Sequence, residues 1–333
     1  MEDHEEFEEI LYDWDVHNGP AIYSQLLYSV VLEEWADDHA LHVMASTAYN
    51  YRRGLPRVIE FFAGVVVQNV TAEMVVACRD KLAKEFKTKS SINLYCKIIS
   101  LSIKYALRRG YIYYNPIAEL TLTKHYRARI KPFLESEIPK LLSQKCPQWV
   151  TDAIVIAFFS GMRKGEIFAL KWSDINLDVG YIMVQSAISM ASSKAEIKCP
   201  KTPEGVRRVD TGSALKDYLR VMERRARQAG NPYVFPASKR GKYPFRIPWN
   251  IAKIVKEMCT KAGIEPRDFR SLRHSHATVL LSHGVHPKVV QERLGHTDFD
   301  ITMEFYSFVA PTIQREAAQV MDDLHVFPVV WAA

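Results

Sequence analysis

The spacing of apolar residues predicts a helical bundle in the first third of the chain. Between residues 23 and 122, apolar side chains recur at the three- and four-residue intervals of amphipathic helices. Ser46 or Thr47 can cap one helix, Thr71 can cap the next, and the last helix is predicted to end at Gly110. The inward faces are predicted to include Leu26, Leu27, Val30, Val31, Trp35, Met74, Val75 and Leu82. Four helices of this size predict a compact bundle.

Between residues 133 and 310 the pattern predicts a second domain of mixed structure. Two apolar helices are predicted first, the second from Thr151 to Phe159. Tyr181–Ser186 and Arg207–Asp210 alternate Val and Ile with polar residues, which predicts strands of a small sheet. Helices are predicted again from Trp249 onward. The predicted fold class is therefore mainly α with a small β-sheet, arranged in two domains.

Residues 1–22 form an acidic segment before the predicted bundle. Four apolar residues within it have helical spacing: Phe7, Ile10, Leu11 and Trp14. A helix here either packs on its own protein or is offered to a neighbouring subunit or host factor, and the sequence leaves both interpretations open. The segment is too short and too acidic to predict a separate DNA-binding domain ahead of the bundle.

Residues 123–132 contain no acidic residue and are predicted to form an exposed basic linker between the two domains. The linker is either simply solvated or lies across a phosphate backbone. At the other end of the chain, residues 311–333 form a tail whose last apolar run, 326–331, is predicted to cover its own core or to fill a groove on a neighbouring subunit.

Composition places the chain among soluble globular proteins. Hydrophobic residues make up 48% of the 333 positions and charged residues 25%. No apolar run approaches the roughly 18–20 residues needed to cross a bilayer, and the acidic N-terminus does not resemble a targeting signal. The expected location is therefore the cytoplasm of a bacterial or host cell. Five scattered cysteines without a CxxC pair argue against a disulfide framework or a zinc site, and most are expected to be buried.

Charge is distributed unevenly along the chain. The net charge is +6, but residues 1–51 contain twelve Asp or Glu and no Lys or Arg. The remaining residues therefore carry 44 basic against 26 acidic side chains, a balance of +18. Such a basic body favours a polyanionic partner, most commonly nucleic acid.

Two segments of the second domain carry candidate chemistry. Arg163 follows Gly161 at the start of a predicted helix, where its guanidinium can point outward to bind a phosphate. Glu166, three residues later, can lie on the same helical face and orient this arginine. Lys201 is predicted to lie in a turn between two strands, where it can act as a mobile proton donor. Taken singly, each is better explained as a surface residue.

The densest candidate cluster lies near the end of the second domain. Arg270 and Arg273 are predicted to lie at the start of a helix, and a further helix is predicted to begin at Pro287 and end at Gly295. His296 would then lie just past a helix end and be exposed to a cleft. Tyr306 follows ten residues later.

At these residues the chain resembles the tyrosine recombinases, also called the phage integrases. The family signature is an Arg, a hairpin Lys, His-x-x-Arg, Gly-His and a nucleophilic Tyr. It is matched here, in that order, by Arg163, Lys201, Arg273, His296 and Tyr306. The helical bundle before the linker also resembles the family's core-binding domain. The resemblance implies a two-domain clamp around DNA, with the catalytic domain at residues 133–310.

Arg270 departs from the family pattern, which most often has His at this position. A guanidinium cannot act as a general base near neutral pH. Arg270 can still donate hydrogen bonds to a phosphate, so the departure affects the base role and leaves the reaction class unchanged.

The resemblance implies site-specific DNA recombination through a 3′-phosphotyrosyl intermediate, with no cofactor, metal or ATP. The implied partners are double-stranded DNA at core half-sites and further copies of the chain, four in a synapse, with room for an accessory protein and no membrane. Residues predicted to contact DNA are Arg52, Arg53, Lys87, Lys89, Lys97, Lys124, Arg127, Arg129 and Lys131. Alternative functions are a topoisomerase with the same chemistry, a catalytically silent DNA-binding module, and a phosphatase or nuclease.

Overall fold

The computed structural model describes residues 25–86, 89–120, 130–191, 194–199, 205–226, 230–237 and 241–306. The chain divides into two compact units, Met1–Arg127 and Ala128–Ala333. The division lies within the segment predicted to be a linker, residues 123–132. Mainly helical units with small antiparallel sheets confirm the predicted fold class.

The first unit contains four α-helices within its described residues. They are α1 (Tyr28–His42), α2 (Ala45–Phe61), α3 (Ala72–Glu85) and α4 (Lys89–Arg108). Their apolar stripes enclose one core that includes Trp35, Leu55, Val58, Cys78 and Ile98. The predicted four-helix bundle is therefore confirmed.

Local signals set several of these helix ends. The Thr71 hydroxyl accepts a hydrogen bond from the Met74 backbone N–H at 3.3 Å, which confirms the predicted cap of α3. Gly110 follows α4 with a left-handed φ of 71°, as predicted for a helix stop. The predicted cap of α2 at Ser46 or Thr47 is wrong. The helix begins one residue earlier, at Ala45, and has no side-chain cap.

Three residues predicted to face inward are instead exposed. Leu27, Val30 and Met74 have exposed fractions of 37%, 44% and 37%. In α1 the buried face is centred on Tyr28, whose ring is fully buried and whose hydroxyl lies 2.7 Å from that of Ser102. The buried residues of α1 recur from Tyr28 at three- and four-residue intervals through Val31, Leu32, Trp35 and Ala36, which places Val30 on the opposite face.

The second unit combines helices with two small antiparallel sheets. Its helices are α5 (Glu137–Leu142), α6 (Gln148–Ser160), α7 (Lys164–Ala169), α8 (Ser213–Ala226), α9 (Ile251–Lys261), α10 (Arg270–Ser282), α11 (Pro287–Leu294) and α12 (Phe299–Tyr306). Its strands are β1 (Ile175–Asn176), β2 (Tyr181–Val184), β3 (Ala187–Ala191), β4 (Lys194–Lys198) and β5 (Arg207–Asp210). The central helix, α6, is apolar on nearly all sides and is largely buried.

The strand predictions are confirmed in part. β5 has the predicted bounds, and β2 ends two residues before the predicted Ser186. One sheet has the order β1-β2-β5, with Val184 paired to Arg207. The sequence pattern missed β1 and the β3–β4 hairpin, whose strands pair Ala187 with Lys198. β4 does alternate, with Ala195 and Ile197 set between polar residues, so it carried a strand signal, whereas β3 is apolar at four of its five positions and lacks the alternation.

Candidate active site

Gly161 makes the turn that places Arg163 at the start of α7. It ends α6 with a left-handed φ of 69°. A Cβ on this residue would lie 2.5 Å from Cδ2 of His276, so any larger residue would clash as well as be strained. The chain then turns sharply, and Arg163 occupies the N-cap position of α7 with extended backbone angles.

Glu166 holds Arg163 from within the first turn of α7. Its Oε2 accepts the Arg163 backbone N–H at 2.8 Å, and its Oε1 accepts a guanidinium N–H of the same residue at 2.8 Å. The side chain of Glu166 is 4% exposed, whereas that of Arg163 is 45% exposed. The contact predicted between these two residues is present, and it leaves part of the guanidinium open to a ligand.

The C-terminal end of α11 receives both arginines. The last carbonyl groups of a helix lack partners within the helix, and they lie at the negative end of its dipole. Arg163 donates to the Gly295 carbonyl at 2.7 Å, and Arg273 donates to the adjacent Leu294 carbonyl at 2.7 Å. The other terminal nitrogen of Arg273 donates to the Gly161 carbonyl at 2.7 Å. Two guanidinium groups are thus held side by side by backbone atoms.

His296 lies directly after this helix end but is buried, so the prediction that it is exposed to a cleft is wrong. It is 7% exposed, and its Nδ1 lies 2.9 Å from the hydroxyl of the buried Thr302. Burial, together with the charges of Arg273 and Arg163, lowers the pKa of His296 to about 3. The imidazole is therefore neutral at physiological pH. Thr302 and Phe305 of α12 pack against the ring, a contact between elements that the sequence pattern did not reveal.

The ring of Phe305 fixes α12 against two histidines. It packs edge-on against His274, with centroids 4.8 Å apart, and stacks on His296 at 5.9 Å. Phe305 is 4% exposed and immediately precedes Tyr306, the last residue of α12. The side chain of Tyr306 lies outside the described residues.

Arg270 lies at the first position of α10 and is exposed. Burial, together with the charges of Arg270 and Arg273, lowers the pKa of His274, one turn further along the helix, to about 4. Arg270 thus adds positive potential beside the two phosphate-binding candidates.

Arg207 belongs to this cluster, although its place in the sequence predicted no role for it in the site. Its guanidinium donates to both carboxylate oxygens of Glu166, at 3.2 and 2.8 Å. Its Nε donates to the Arg293 carbonyl at 2.8 Å. The alternation in β5 carried a signal, because Arg207 shares a face with the buried Val209.

His276 and Arg293 support the same region and were also missed. Arg293 donates to Nε2 of His276 at 3.0 Å, and Nδ1 of His276 lies 2.7 Å from the Phe158 carbonyl. Burial and the charge of Arg293 lower the pKa of His276 to about 3. This pair joins α10 and α11 to the end of α6.

Several predicted residues lie outside the described ranges or away from the cluster. Lys201, Lys87, Lys124, Arg127 and Arg129 lie outside the described residues, as does the side chain of Lys89. Arg53 and Lys97 are exposed, while Arg52 forms an ion pair with Asp37. Lys131 donates to both carboxylate oxygens of Glu265 at 3.0 Å. Contacts of these residues with DNA stay predictions.

Clusters of metal-ligating side chains and membrane-spanning helices are both absent from the described part of the chain. No group of three or more His, Cys, Asp or Glu side chains there could hold a metal ion. No helix in these ranges has both the length and the apolar character to span a bilayer. Cys78, Cys96 and Cys259 are buried, as expected for most of the cysteines, Cys146 is half-buried and Cys199 is exposed.

Comparison with known proteins identifies the family. Residues 131–311 match the model of the phage integrase family. A XerC-like tyrosine recombinase of Caldanaerobacter subterraneus subsp. tengcongensis is 26% identical over 287 residues, covering 79% of this chain and 73% of the relative. The ICEBs1 integrase of Bacillus subtilis is 26% identical over 280 residues, covering 80% of this chain and 74% of the relative. The chain therefore belongs to the phage integrase family, the tyrosine recombinases.

Solved structures have the same fold. The Tn1549 transposon integrase in complex with a circular intermediate DNA superposes with a TM-score of 0.73 at 16% identity, covering 88% of this chain and 99% of that one. A lambda integrase tetramer bound to a Holliday junction gives a TM-score of 0.66 at 18% identity, covering 85% of this chain and 78% of the lambda integrase chain. Family and fold confirm the predicted class of activity: the protein is a DNA strand transferase of site-specific recombination.

Proposed function

We propose that this protein cleaves and rejoins DNA through a covalent phosphotyrosyl bond at Tyr306, with Arg163 and Arg273 binding the phosphate under attack. The observation that carries the proposal is the pair of guanidinium groups held on the adjacent carbonyls of Leu294 and Gly295. They are fixed before any substrate arrives, as electrostatic catalysis requires.

The chemistry follows from the charge that develops during attack. An in-line attack on a phosphodiester produces a dianionic phosphorane, whose non-bridging oxygens carry more charge than those of the ground state. Guanidinium donors near these oxygens stabilise the transition state more than the bound substrate. The Tyr306 phenol loses its proton to solvent, and its oxygen forms a bond to phosphorus while the bond to the 5′-oxygen breaks. The phosphotyrosyl ester retains the bond energy for resealing.

Two further residues complete the proposed site. Lys201 gives a proton to the leaving 5′-oxygen, as the family resemblance implies. His296, a neutral imidazole with one nitrogen beside Thr302, hydrogen-bonds the phosphate or the attacking phenol through its other nitrogen. Arg270, exposed at the start of α10, contributes positive charge in place of the usual His.

The proposed substrate is double-stranded DNA, bound by more than one copy of the chain. The Tn1549 and lambda integrases that share this fold are described in complex with DNA, the latter also as a tetramer on a Holliday junction. The balance of +18 outside residues 1–51 supports a polyanionic partner. Residues 311–333 are proposed to reach a neighbouring subunit, and an accessory protein remains a further prediction.

Covalent trapping tests the proposal. A half-site is first selected from random-sequence duplexes by its binding to the protein. In the cleavage substrate, a nick beside the cleavage position lets the released strand diffuse away, so that the covalent complex cannot reseal. The wild type should form a complex that survives denaturant, and Tyr306→Phe should form none, because it lacks the attacking oxygen. Tyr113→Phe, at an exposed tyrosine of the first unit, is the matched control and should trap DNA normally. Trapping by Tyr306→Phe would refute the assignment.

A further inference from the structure

A buried carboxylate lies directly beside the proposed phosphate-binding group. Glu166 is in contact with Arg163 at 2.8 Å, and its side chain is only 4% exposed. A negative charge at this place poses an electrostatic problem. If unbalanced, it would cancel the charge of Arg163 and oppose the negative charge of an incoming phosphate.

Arg207 provides the second cation needed to balance this site. Its guanidinium makes a two-pronged contact with the Glu166 carboxylate, and its side chain is 6% exposed. Burial opposes ionisation of Glu166, but hydrogen bonding and charge from Arg207, with the further charge of Arg163, hold the pKa of this carboxyl below its ordinary value. Glu166 is therefore ionised and its charge is matched.

The other contacts of Arg207 argue against a direct role on DNA. Its Nε donates to the Arg293 carbonyl at 2.8 Å, and one terminal nitrogen donates to the Gly205 carbonyl at 3.2 Å. All three guanidinium nitrogens of Arg207 donate to protein atoms, whereas the contacts of Arg163 and Arg273 use two each, so Arg207 has the fewest donors left for a phosphate oxygen. Arg163, with 45% of its side chain exposed, is more open to a phosphate than Arg207.

We infer that Arg207 is a positioning residue that compensates the charge of Glu166, so that the guanidinium of Arg163 keeps its positive charge for the scissile phosphate. This inference rests on the proposed function of Arg163. Glu166 fixes the orientation of Arg163 through two hydrogen bonds, and Arg207 removes the electrostatic penalty of using a carboxylate to do so. The alternative is a purely structural role, in which Arg207 only joins β5 to α11.

The two roles of Arg207, charge compensation and structural support, can be separated by removing the charge of Glu166 together with that of Arg207. Arg207→Met leaves Glu166 with Arg163 as its remaining direct ion pair, and the rate of covalent cleavage per bound complex should fall at least about tenfold, or about 1.4 kcal/mol. The double variant Arg207→Met with Glu166→Gln removes both charges and should recover part of this loss, because the single Gln oxygen can keep only one of the two hydrogen bonds to Arg163. Arg207→Lys keeps the charge and should cleave faster than Arg207→Met. Arg208→Met is the matched control, because Arg208 is the exposed neighbour on the same strand and pairs with Asp210.

A substrate with an uncharged group at the cleavage position separates the electrostatic role from a folding defect. A folding defect should lower the cleavage rate equally on charged and uncharged substrates. In a methylphosphonate at the cleavage position, one non-bridging oxygen is replaced by a methyl group, so the transition state carries one negative charge fewer. The deficit of Arg207→Met relative to the wild type should shrink on this substrate. An equal deficit on both substrates, or a double variant no faster than Arg207→Met, would overturn the inference. Failure of the wild type to trap DNA through Tyr306 would instead refute the proposed function.

Discussion

At the scale of single residues, backbone carbonyl groups build the proposed phosphate site. The carbonyls of Gly161, Leu294 and Gly295 accept hydrogen bonds from two arginines. These oxygens have no N–H partner within their own helix, because each lies at a helix end, and they can therefore accept from the arginines. A planar guanidinium can span two such acceptors and keep further N–H groups for a ligand, whereas an ammonium is a point charge.

Replacing Arg273 with Lys tests this geometry. The lysine can reach one of the two carbonyls but not both, so the charge remains and the fixed orientation is lost. Cleavage per bound complex should fall by roughly 10²-fold or more, since removal of one preorganised donor costs about 3–4 kcal/mol. Affinity for DNA, measured by titration at fixed salt, should change little because other phosphate contacts remain. A parallel fall in affinity and cleavage would identify Arg273 as an ordinary backbone contact.

At the scale of elements, α10, α11 and α12 enclose three histidines whose pKa values are lowered. The pKa is about 4 for His274 and about 3 for both His276 and His296, against an ordinary value near 6.5. Burial is the largest cause in each case, followed by neighbouring arginines. The folded unit therefore holds these imidazoles neutral in a region of high positive charge.

This burial predicts a loss of stability in mild acid. As the pH falls below about 6.5, the unfolded chain binds protons at these histidines, while the folded chain does not until about pH 3–4. The free energy of unfolding should therefore decrease as the pH falls through this range. Urea unfolding of the wild type at pH 7.5, 6 and 5 measures the slope. His276→Asn should reduce the slope of the free energy of unfolding against pH by up to about 1.4 kcal/mol per pH unit, the amount that corresponds to one bound proton. An unchanged slope in this variant would contradict the buried, neutral state of His276.

At the scale of the whole molecule, charge separates along the chain. Acidic side chains dominate residues 1–51, and the rest carries the basic excess of +18. Long-range potentials of this kind steer association with a polyanion and depend strongly on salt. The contribution of the linker to phosphate binding is expected to be smaller at Lys131 than at its other basic residues, because Lys131 is already paired with Glu265.

Neutralising the linker tests its contact with DNA. Changing Lys124, Arg127 and Arg129 together to Gln should flatten the slope of log affinity against log salt by up to about 3 units, at roughly 0.9 for each phosphate that the protein no longer neutralises. Lys131→Gln is the comparison variant and should have a smaller effect, since its ammonium already has a carboxylate partner. A slope unchanged by the triple substitution would mean that the linker is solvated.

The sequence by itself determined the features that depend on neighbouring residues in the chain. Gly110, Gly161 and Gly295 end helices, and Thr71 begins one, because caps and turns act over a few positions. The order of the motifs from Arg163 to Tyr306 was sufficient to predict the family, which the comparisons confirm.

Tertiary structure decided the contacts between residues far apart in the chain. Arg207 meets Glu166 across 41 positions, and Phe305 packs between His274 and His296. His296 is buried although its place after a helix end predicted exposure. Periodicity gives the face of one element but not which other element covers it. The partner of each buried charge and the environment of each histidine are therefore fixed only when the helices and the sheet pack together.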